Sequence, residues 1–355
     1  MKKLLSFTLI ACFSTVLFGQ TIVSTTPSNK NIILEEFTGT ECLWCPEGHK
    51  IANEIMADNP GRVWVINIHS GSFSGNDPNY KTEWGNALNN QAGTQAFPGG
   101  TVNRQVFAGI PTQQYYGAPA ALAYDRERWA ECVARGVAEP SPVNVAATAT
   151  IDWETRLLTV YVEVYYTENA VQRTNKLNVA LLQNNVLGPQ EGKSLYPEMV
   201  FGDLYKHNNM LRHLLTGQWG VDIPATTAGT FFTETFTYTI PEHIRNVPLI
   251  LEDLSVIAFV CENQKTILTG CKAKTTWENS IKDIPDIAIS IAPNPMNDEL
   301  FIKGIYDKLE IFSVTGQIVA TAYNQPTVNV SHLAKGIYIV KMLSNGQTCT
   351  VKVVK

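Results

Sequence analysis

Cys42 and Cys45 stand three residues apart in the stretch EEFTGTECLWCPEGHK, Glu35 to Lys50. Cysteines at this spacing can exchange disulfides, supply half of a zinc site, or staple a secreted fold. An apolar strand-like run ends just before them and a helical pattern opens at them. A cysteine at a helix start faces unsatisfied backbone N–H groups and the positive end of the dipole, and both favour thiolate. Cys42 is thereby the expected nucleophile, with Cys45, one turn on, placed to resolve a mixed disulfide. Pro46 suits a first helical turn, where its missing N–H costs nothing. Zinc needs more ligands at workable spacing, and the sequence has no second cysteine pair of this kind. A structural bridge closing so short a loop would constrain the unfolded chain little. Redox chemistry is the preferred reading over a relict or purely structural pair.

Other residues could take part. Glu36 lies six residues before Cys42, on the strand feeding the loop. A carboxyl buried there would have a raised pKa and could accept a thiol proton near neutrality. The plain alternative is a partly exposed strand residue. Glu35 alternates to the other strand face and is the weaker candidate. Pro98, between Phe97 and Gly99-Gly100, marks a tight turn, and His69 ends the run VWVINIH nearby. His207 and His213 lack a cysteine or carboxylate at ligand spacing, so they read as solvated or capping residues rather than metal ligands. Cys132 falls on the apolar face of a helix and reads as a buried thiol. Cys261 and Cys271 flank a hairpin turn. A two-residue turn at Gln264-Lys265 would put them on opposite faces and a looser turn on one, so a Cys261–Cys271 bridge stays open.

The elements that must hold these groups alternate strand and helix over residues 31–137. NIILEEF is a buried-strand pattern, CPEGHKIANEIMADNP a helix ended by Asn59-Pro60, and RVWVINIHS a second strand, which together make a βαβ unit. A Gly/Asn/Ser-rich insertion, a short helix through Trp84 and Leu88, the AFPGGTVNR turn and strand, and the helix in DRERWAECVARGVAE follow. EPSPVNV reads as a linker. Behind it, residues 141–276 show period-two runs such as LLTVYVEVYY and LSVIAFVCEN, the mark of an antiparallel immunoglobulin- or fibronectin-like sandwich. Within it YPEMVFGDLYKHNNMLRHLLTG reads as a long ordered loop with a helical turn. Residues 277–288 form a second linker, and 289–355 a compact β-sandwich with turns at Pro-Asn-Pro, Thr-Gly, Lys-Gly and Asn-Gly.

The 355 residues are 45% apolar and 17% charged, with a formal net charge of -5, which carries no electrostatic footprint for nucleic acid. The first 20 residues, MKKLLSFTLIACFSTVLFGQ, have the charged start and apolar run of a secretory signal peptide, with cleavage near Gly19 or Gln20. A competing reading takes LIAC, ending at Cys12, as a lipoprotein cleavage box. No other stretch approaches a membrane span, so the mature chain is expected to have none. The expected compartment permits disulfides, yet the cysteine density is too low for a disulfide scaffold.

Two resemblances add to this. The tail, through Pro293-Asn294-Pro295, LEIFSVTGQIV, LAKGIYIVKM and the terminal VKVVK, resembles the C-terminal sorting domain of type IX secretion substrates in Bacteroidetes. That implies the type IX machinery as a partner of residues 289–355 and delivery to the outer-membrane surface or release. The front, through ILEEF, Cys42-Leu43-Trp44-Cys45 and Phe97-Pro98, resembles thioredoxin-like proteins and, among them, the outer-membrane-protein-28-related family, whose match extends into the sandwich region. The resemblance implies a thioredoxin-like domain over 21–140, a proton-relay role for Glu36 toward Cys45, and a cis-proline at Pro98 facing a Cys42–Cys45 disulfide. The Leu-Trp dipeptide and the long insertion between Asn67 and Pro98 depart from thioredoxin itself and leave potential and substrate open. The expected function is thiol–disulfide exchange on a protein substrate, without a cofactor. The alternative is a surface adhesin or receptor using both domains as a scaffold.

Overall fold

The computed structural model describes residues 21–75, 79–114, 121–278, 290–344 and 347–355. The expected signal peptide and residues 279–288 of the expected second linker lie outside them. The chain is mostly β and divides into two compact units, Met1–Glu278 and Asn279–Lys355.

The first unit is organised by one nine-stranded sheet. Its order runs Ile267–Lys272, Leu254–Glu262, Asn175–Gln183, Met210–Leu214, Val63–His69, Ile32–Thr38, Gly99–Val102, Tyr124–Asp125, with Val221–Ile223 pairing off Asn175–Gln183. Ile32–Thr38 and Val63–His69 are parallel, joined by the helix Cys45–Asp58. Both faces of Ile32–Thr38 are covered, so all seven of its residues are buried, Glu35, Glu36 and Thr38 included. Ile32 and Leu34 point to the side where Ala52 and Ile55 of that helix pack, together with Trp129, Cys132 and Val133. Ile33 and Phe37 point to the other side, against Ile66, Ile68, Leu88 and Phe259. By period-two alternation Glu36 faces the helix side and Glu35 the opposite side.

A four-stranded sheet, Phe231–Thr239, Leu157–Tyr166, Val143–Asp152, Lys274–Glu278, shares a core with the far end of the large sheet through Val160, Val162, Val179, Val256 and Val260. The sandwich expected from the alternating runs is therefore continuous with the α/β part. Two readings of the sequence need correction here. EPSPVNV is no linker: Pro140–Ser141 pairs with Ser28–Asn29 and Val143 begins a ten-residue strand. Proline is tolerated there because it sits at a sheet edge. The segment expected as a long loop with a helical turn instead makes two 3-10 turns, Lys193–Leu195 and Pro197–Met199. A hairpin of Val200–Phe201 with Leu204–His207 follows, and then the strand Met210–Leu214. That last strand lies between Asn175–Gln183 and Val63–His69 and fastens the two halves together. Asn67 reinforces the join, its N–H donating to the Asn209 carbonyl and its Nδ2 to the Asn208 carbonyl, each at 2.8 Å.

The second unit has a three-stranded sheet, Ser290–Ala292, Glu299–Lys303, Thr327–Asn329. It also has a four-stranded one, Ile318–Ala322, Lys308–Ser313, Ile337–Ser344, Gln347–Val354. Leu300, Leu309, Ile311, Val340 and Met342 close a core of its own.

Candidate functional site

The helix Cys45–Asp58 begins at the second cysteine, with Trp44 as its N-cap residue, Pro46 in the first turn and a buried face of Cys45, Gly48, His49, Ala52 and Ile55. That spacing of three and four is what seats the helix on the sheet. Cys42 and Cys45 form a disulfide with Cα atoms 5.4 Å apart. Cys42 belongs to the turn before the helix, and its carbonyl accepts the Cys45 N–H at 3.3 Å. Cys42 is 3% exposed and Cys45 0%, whereas the intervening Leu43 and Trp44 are 48% and 50% exposed. The Arg126 guanidinium lies 5.7 Å over the Trp44 ring and pairs with Glu47 at 2.7 Å.

Glu36 is fully buried, and neither carboxyl oxygen has a hydrogen-bond partner among the described residues. Burial pushes its carboxyl well above the ordinary carboxylate range. It sits close to the helix start: a Cβ added to Gly48 would come within 2.5 Å of Glu36 Oε1 and 2.8 Å of Pro98 Cγ. The Phe97–Pro98 bond is cis, and Gly99 and Gly100, immediately after it, pair in register with Phe37 and Glu36. Helix start, acid and proline therefore converge on one place.

Glu35 belongs elsewhere. On the opposite face it accepts from Arg104 Nε at 2.7 Å, Arg104 Nη2 at 2.5 Å and Thr101 Oγ1 at 2.9 Å. A carboxylate paired this fully is a structural ion pair. The open Cys261–Cys271 bridge is not formed. Cys271 is opposite Ala258 and Cys261 opposite Ile267, and the two thiols pack in the cores on opposite faces of the sheet. Burial raises both to about 12. Cys132 is likewise a buried free thiol, raised to about 12.

Three groups beside the cysteines carried too weak a signal to be found. His49 Nε2 lies 2.8 Å from Thr38 Oγ1 and 3.8 Å from Glu36 Oε1, and its Nδ1 is 2.8 Å from Tyr205 Oη. Burial, together with His207, lowers His49 to about 3. Gln190 is buried and donates from Nε2 to the carbonyls of Cys42 at 2.9 Å and Gly39 at 3.1 Å. The Glu191 N–H donates to the Thr40 carbonyl at 2.8 Å, and Gly192 (φ 75°) packs against the Leu43 carbonyl. His207 is neither solvated nor a cap. It is buried in a ring cluster with His69, Tyr80, Tyr205 and His49, at centroid distances of 5.4, 5.0, 4.9 and 6.4 Å. His69 joins that cluster, and neither ring nitrogen has a hydrogen-bond partner among the described residues. His213 stacks on Tyr238 at 4.0 Å. Only the helical spacing of His49 behind Cys45 was visible beforehand. Gln190 and Tyr205 come from a distant segment that no local pattern connects to the cysteines.

Among the described residues no group of His, Cys, Asp or Glu is arranged to hold a metal ion, and no helix is long and apolar enough to cross a membrane. The model of the outer membrane protein Omp28 family matches residues 85–277, a span that begins after Cys45, and the model of the secretion system C-terminal sorting domain matches residues 290–355. No protein among the curated ones matches the chain. Of solved structures, HBP35 of Porphyromonas gingivalis is similar over 92% of this chain and 99% of its own, at 21% identity and a TM-score of 0.53, which speaks for the fold alone. A domain of the outer membrane lipoprotein Omp28 from the same organism aligns with 39% of this chain and 92% of its own, at 17% identity and a TM-score of 0.26. With more than half of its length matched, the chain belongs to the Omp28 outer membrane protein family and ends in a secretion system C-terminal sorting domain.

Proposed function

We propose that residues 21–140 are a thioredoxin-like domain and that Cys42 and Cys45 carry out thiol–disulfide exchange with a protein substrate. The protein is exported, to the outer-membrane surface or beyond it, and its tail is addressed to the type IX secretion machinery. The observation that carries the redox reading is a disulfide at a helix start next to a buried, unpartnered carboxyl, Glu36. A structural staple has no use for such a group, which costs stability.

In the reducing direction, the Cys42 thiolate attacks a substrate disulfide, and a Cys42–substrate bond forms as the first substrate thiolate leaves. Cys45 then gives its proton to the Glu36 carboxylate and attacks the Cys42 sulfur. The Cys42–Cys45 bond forms, the second substrate thiolate leaves, and the pair is oxidised by two electrons while the substrate disulfide is reduced. A dithiol donor returns the pair to its reduced form by the reverse steps. Pro98 and the exposed Leu43 and Trp44 supply the edge and apolar surface against which an extended substrate segment docks.

A second reading has an observation of its own. Cys42 is nearly buried, as in a binding scaffold whose disulfide is structural. Turnover of a fluorogenic disulfide peptide with a dithiol donor separates the two. Exchange that disappears in Cys42→Ser supports catalysis, and identical rates with and without the protein assign the domain to binding.

A further inference from the structure

Among the described residues, His49 is the basic side chain in ion-pair range of Glu36, with Nε2 3.8 Å from Oε1. Its hydrogen bonds fix the tautomer. Among the described residues the Thr38 hydroxyl is partnered by His49 Nε2, and a buried hydroxyl proton needs an acceptor. Tyr205 directs its own O–H to Met199 Sδ at 3.1 Å, which leaves its oxygen to accept from His49 Nδ1–H. Every donor in the chain Thr38, His49, Tyr205, Met199 is then used, and Nε2 presents a lone pair toward Thr38 and, at 3.8 Å, toward Glu36 Oε1.

We propose that His49 is a positioning residue for the Cys45 half of the reaction, taking a proton at Nε2 when Glu36 ionises and so supplying the counter-charge. This rests on the exchange reading above. When a dithiol reduces the Cys42–Cys45 bond, the departing Cys45 sulfur takes the carboxyl proton of Glu36. Glu36 is left as a buried anion, and His49 takes one proton from water to become imidazolium beside it. In the opposite direction Cys45 returns its proton to Glu36, and the imidazolium releases its own to water. An anion and a cation 3.8 Å apart are held inside a protein at far less cost than a lone anion.

Among the described residues no other basic side chain pairs with Glu36, and Tyr205 is the further titratable group that feels its charge. From the strand Ile32–Thr38 the charged group facing His49 is Glu36, and from its own helix Cys45 is one turn back. From Leu204–His207 come Tyr205 and His207, and from Val63–His69 comes His69 behind His207. Arg212 reaches His69 and Tyr80 rather than the carboxyl. The neutral state of the oxidised protein agrees: Glu36 is raised by burial and His49 lowered by burial and by His207. Tyr205 and His207 bring the far half of the unit into the site, so the α/β part alone lacks half of this proton device.

The test uses the full mature chain and two variants, His49→Phe and His49→Gln. Histidine ring signals are followed by NMR before and after reduction with a phosphine. His49 is expected to pass from neutral to imidazolium on reduction in the wild type, and not in Glu36→Gln. The resolving step, release of a small thiol from a Cys42 mixed disulfide, is expected to slow about tenfold at neutral pH in His49→Phe and to recover at higher pH. His49→Gln keeps polarity but takes no proton, so it should behave like His49→Phe. Rescue by Gln, or a His49 that stays neutral on reduction, overturns the proposal. Absence of exchange in the wild type with a redox-linked imidazolium still present would remove the proposed activity and leave the His49 coupling standing.

Discussion

Gln190 Nε2 donates 2.9 Å to the carbonyl of Cys42, across 148 residues of chain. The loop that carries Cys42 is thus held from outside the α/β part. The Glu41 N–H is held from the other side by the Phe73 carbonyl at 2.8 Å. A loop clasped from both sides keeps Cys42 covered while its neighbours Leu43 and Trp44 stand in solvent.

Gln190→Ala should therefore loosen the loop. The carbonyls of Cys42 and Gly39 each lose one donor and keep a backbone N–H, at a cost of about 0.5–1.5 kcal/mol per bond. The reduced Cys42 should alkylate faster than in the wild type while Cys45 stays slow. A mass-spectrometric time course with iodoacetamide checks this. Unchanged Cys42 rates alongside an unchanged thermal midpoint would show that the clasp does not govern access.

Gly48→Ala bears on the same pocket from the helix side. Alanine is the better helix former by about 1 kcal/mol. Its methyl would nonetheless meet Glu36 Oε1 at 2.5 Å and Pro98 Cγ at 2.8 Å. Overpacking of this kind costs about 1–3 kcal/mol. Net destabilisation in urea is expected, with slower resolution by Cys45 as Glu36 is displaced. A stabilised variant with normal exchange would mean the helix start does not press on Glu36 and Pro98.

What was readable beforehand follows from range. The βαβ unit, the acid on the helix side of its strand and the tight Phe97-Pro98 turn depend on alternation and local turn chemistry, and neighbouring residues carry those signals. The strand Met210–Leu214 was hidden because its five residues, MLRHL, contain two polar side chains and follow an irregular stretch. Missing it hid the strand that joins Asn175–Gln183 to Val63–His69, and it also left His207 in solvent. Polar residues read as solvated unless a partner is in view. The partners of His207 come from Leu204–His207, Val63–His69 and the loop bearing Tyr80, which converge only once the sheet is assembled.

Ending the chain at residue 278 should leave the first unit intact. The two units have separate cores, and the second holds the sorting-domain match. The truncated chain is expected to keep the thermal midpoint of the first unit and to remain in the periplasm. Fractionation and scanning calorimetry on the same strain read both. Surface delivery of the truncated chain would contradict the role assigned to residues 290–355.

The buried histidines make acid stability the sharpest prediction. His49 is lowered to about 3 and His207 to about 4, both chiefly by burial, and burial with neighbouring charge puts His69 well below the ordinary range. Below an ordinary histidine value of about 6.5 the unfolded chain binds protons that the folded chain refuses. Their contribution is therefore complete above that value and is lost as pH falls toward 4. Each histidine contributes a slope of about 1.4 kcal/mol per pH unit in that window. Glu36 acts in the opposite sense, because its folded carboxyl holds a proton that the unfolded chain releases above about 4.3. Three histidines outweigh one carboxyl, so the oxidised protein should lose about 3 kcal/mol per pH unit between pH 6 and 5. His207→Phe keeps a ring among Tyr80, Tyr205 and His69 and removes one titrating group. It should flatten the slope by about one histidine's share, measured by urea unfolding at pH 7, 6 and 5 with the disulfide intact. A slope equal to that of the wild type would mean that His207 titrates alike in the folded and unfolded chains, and that water reaches the cluster.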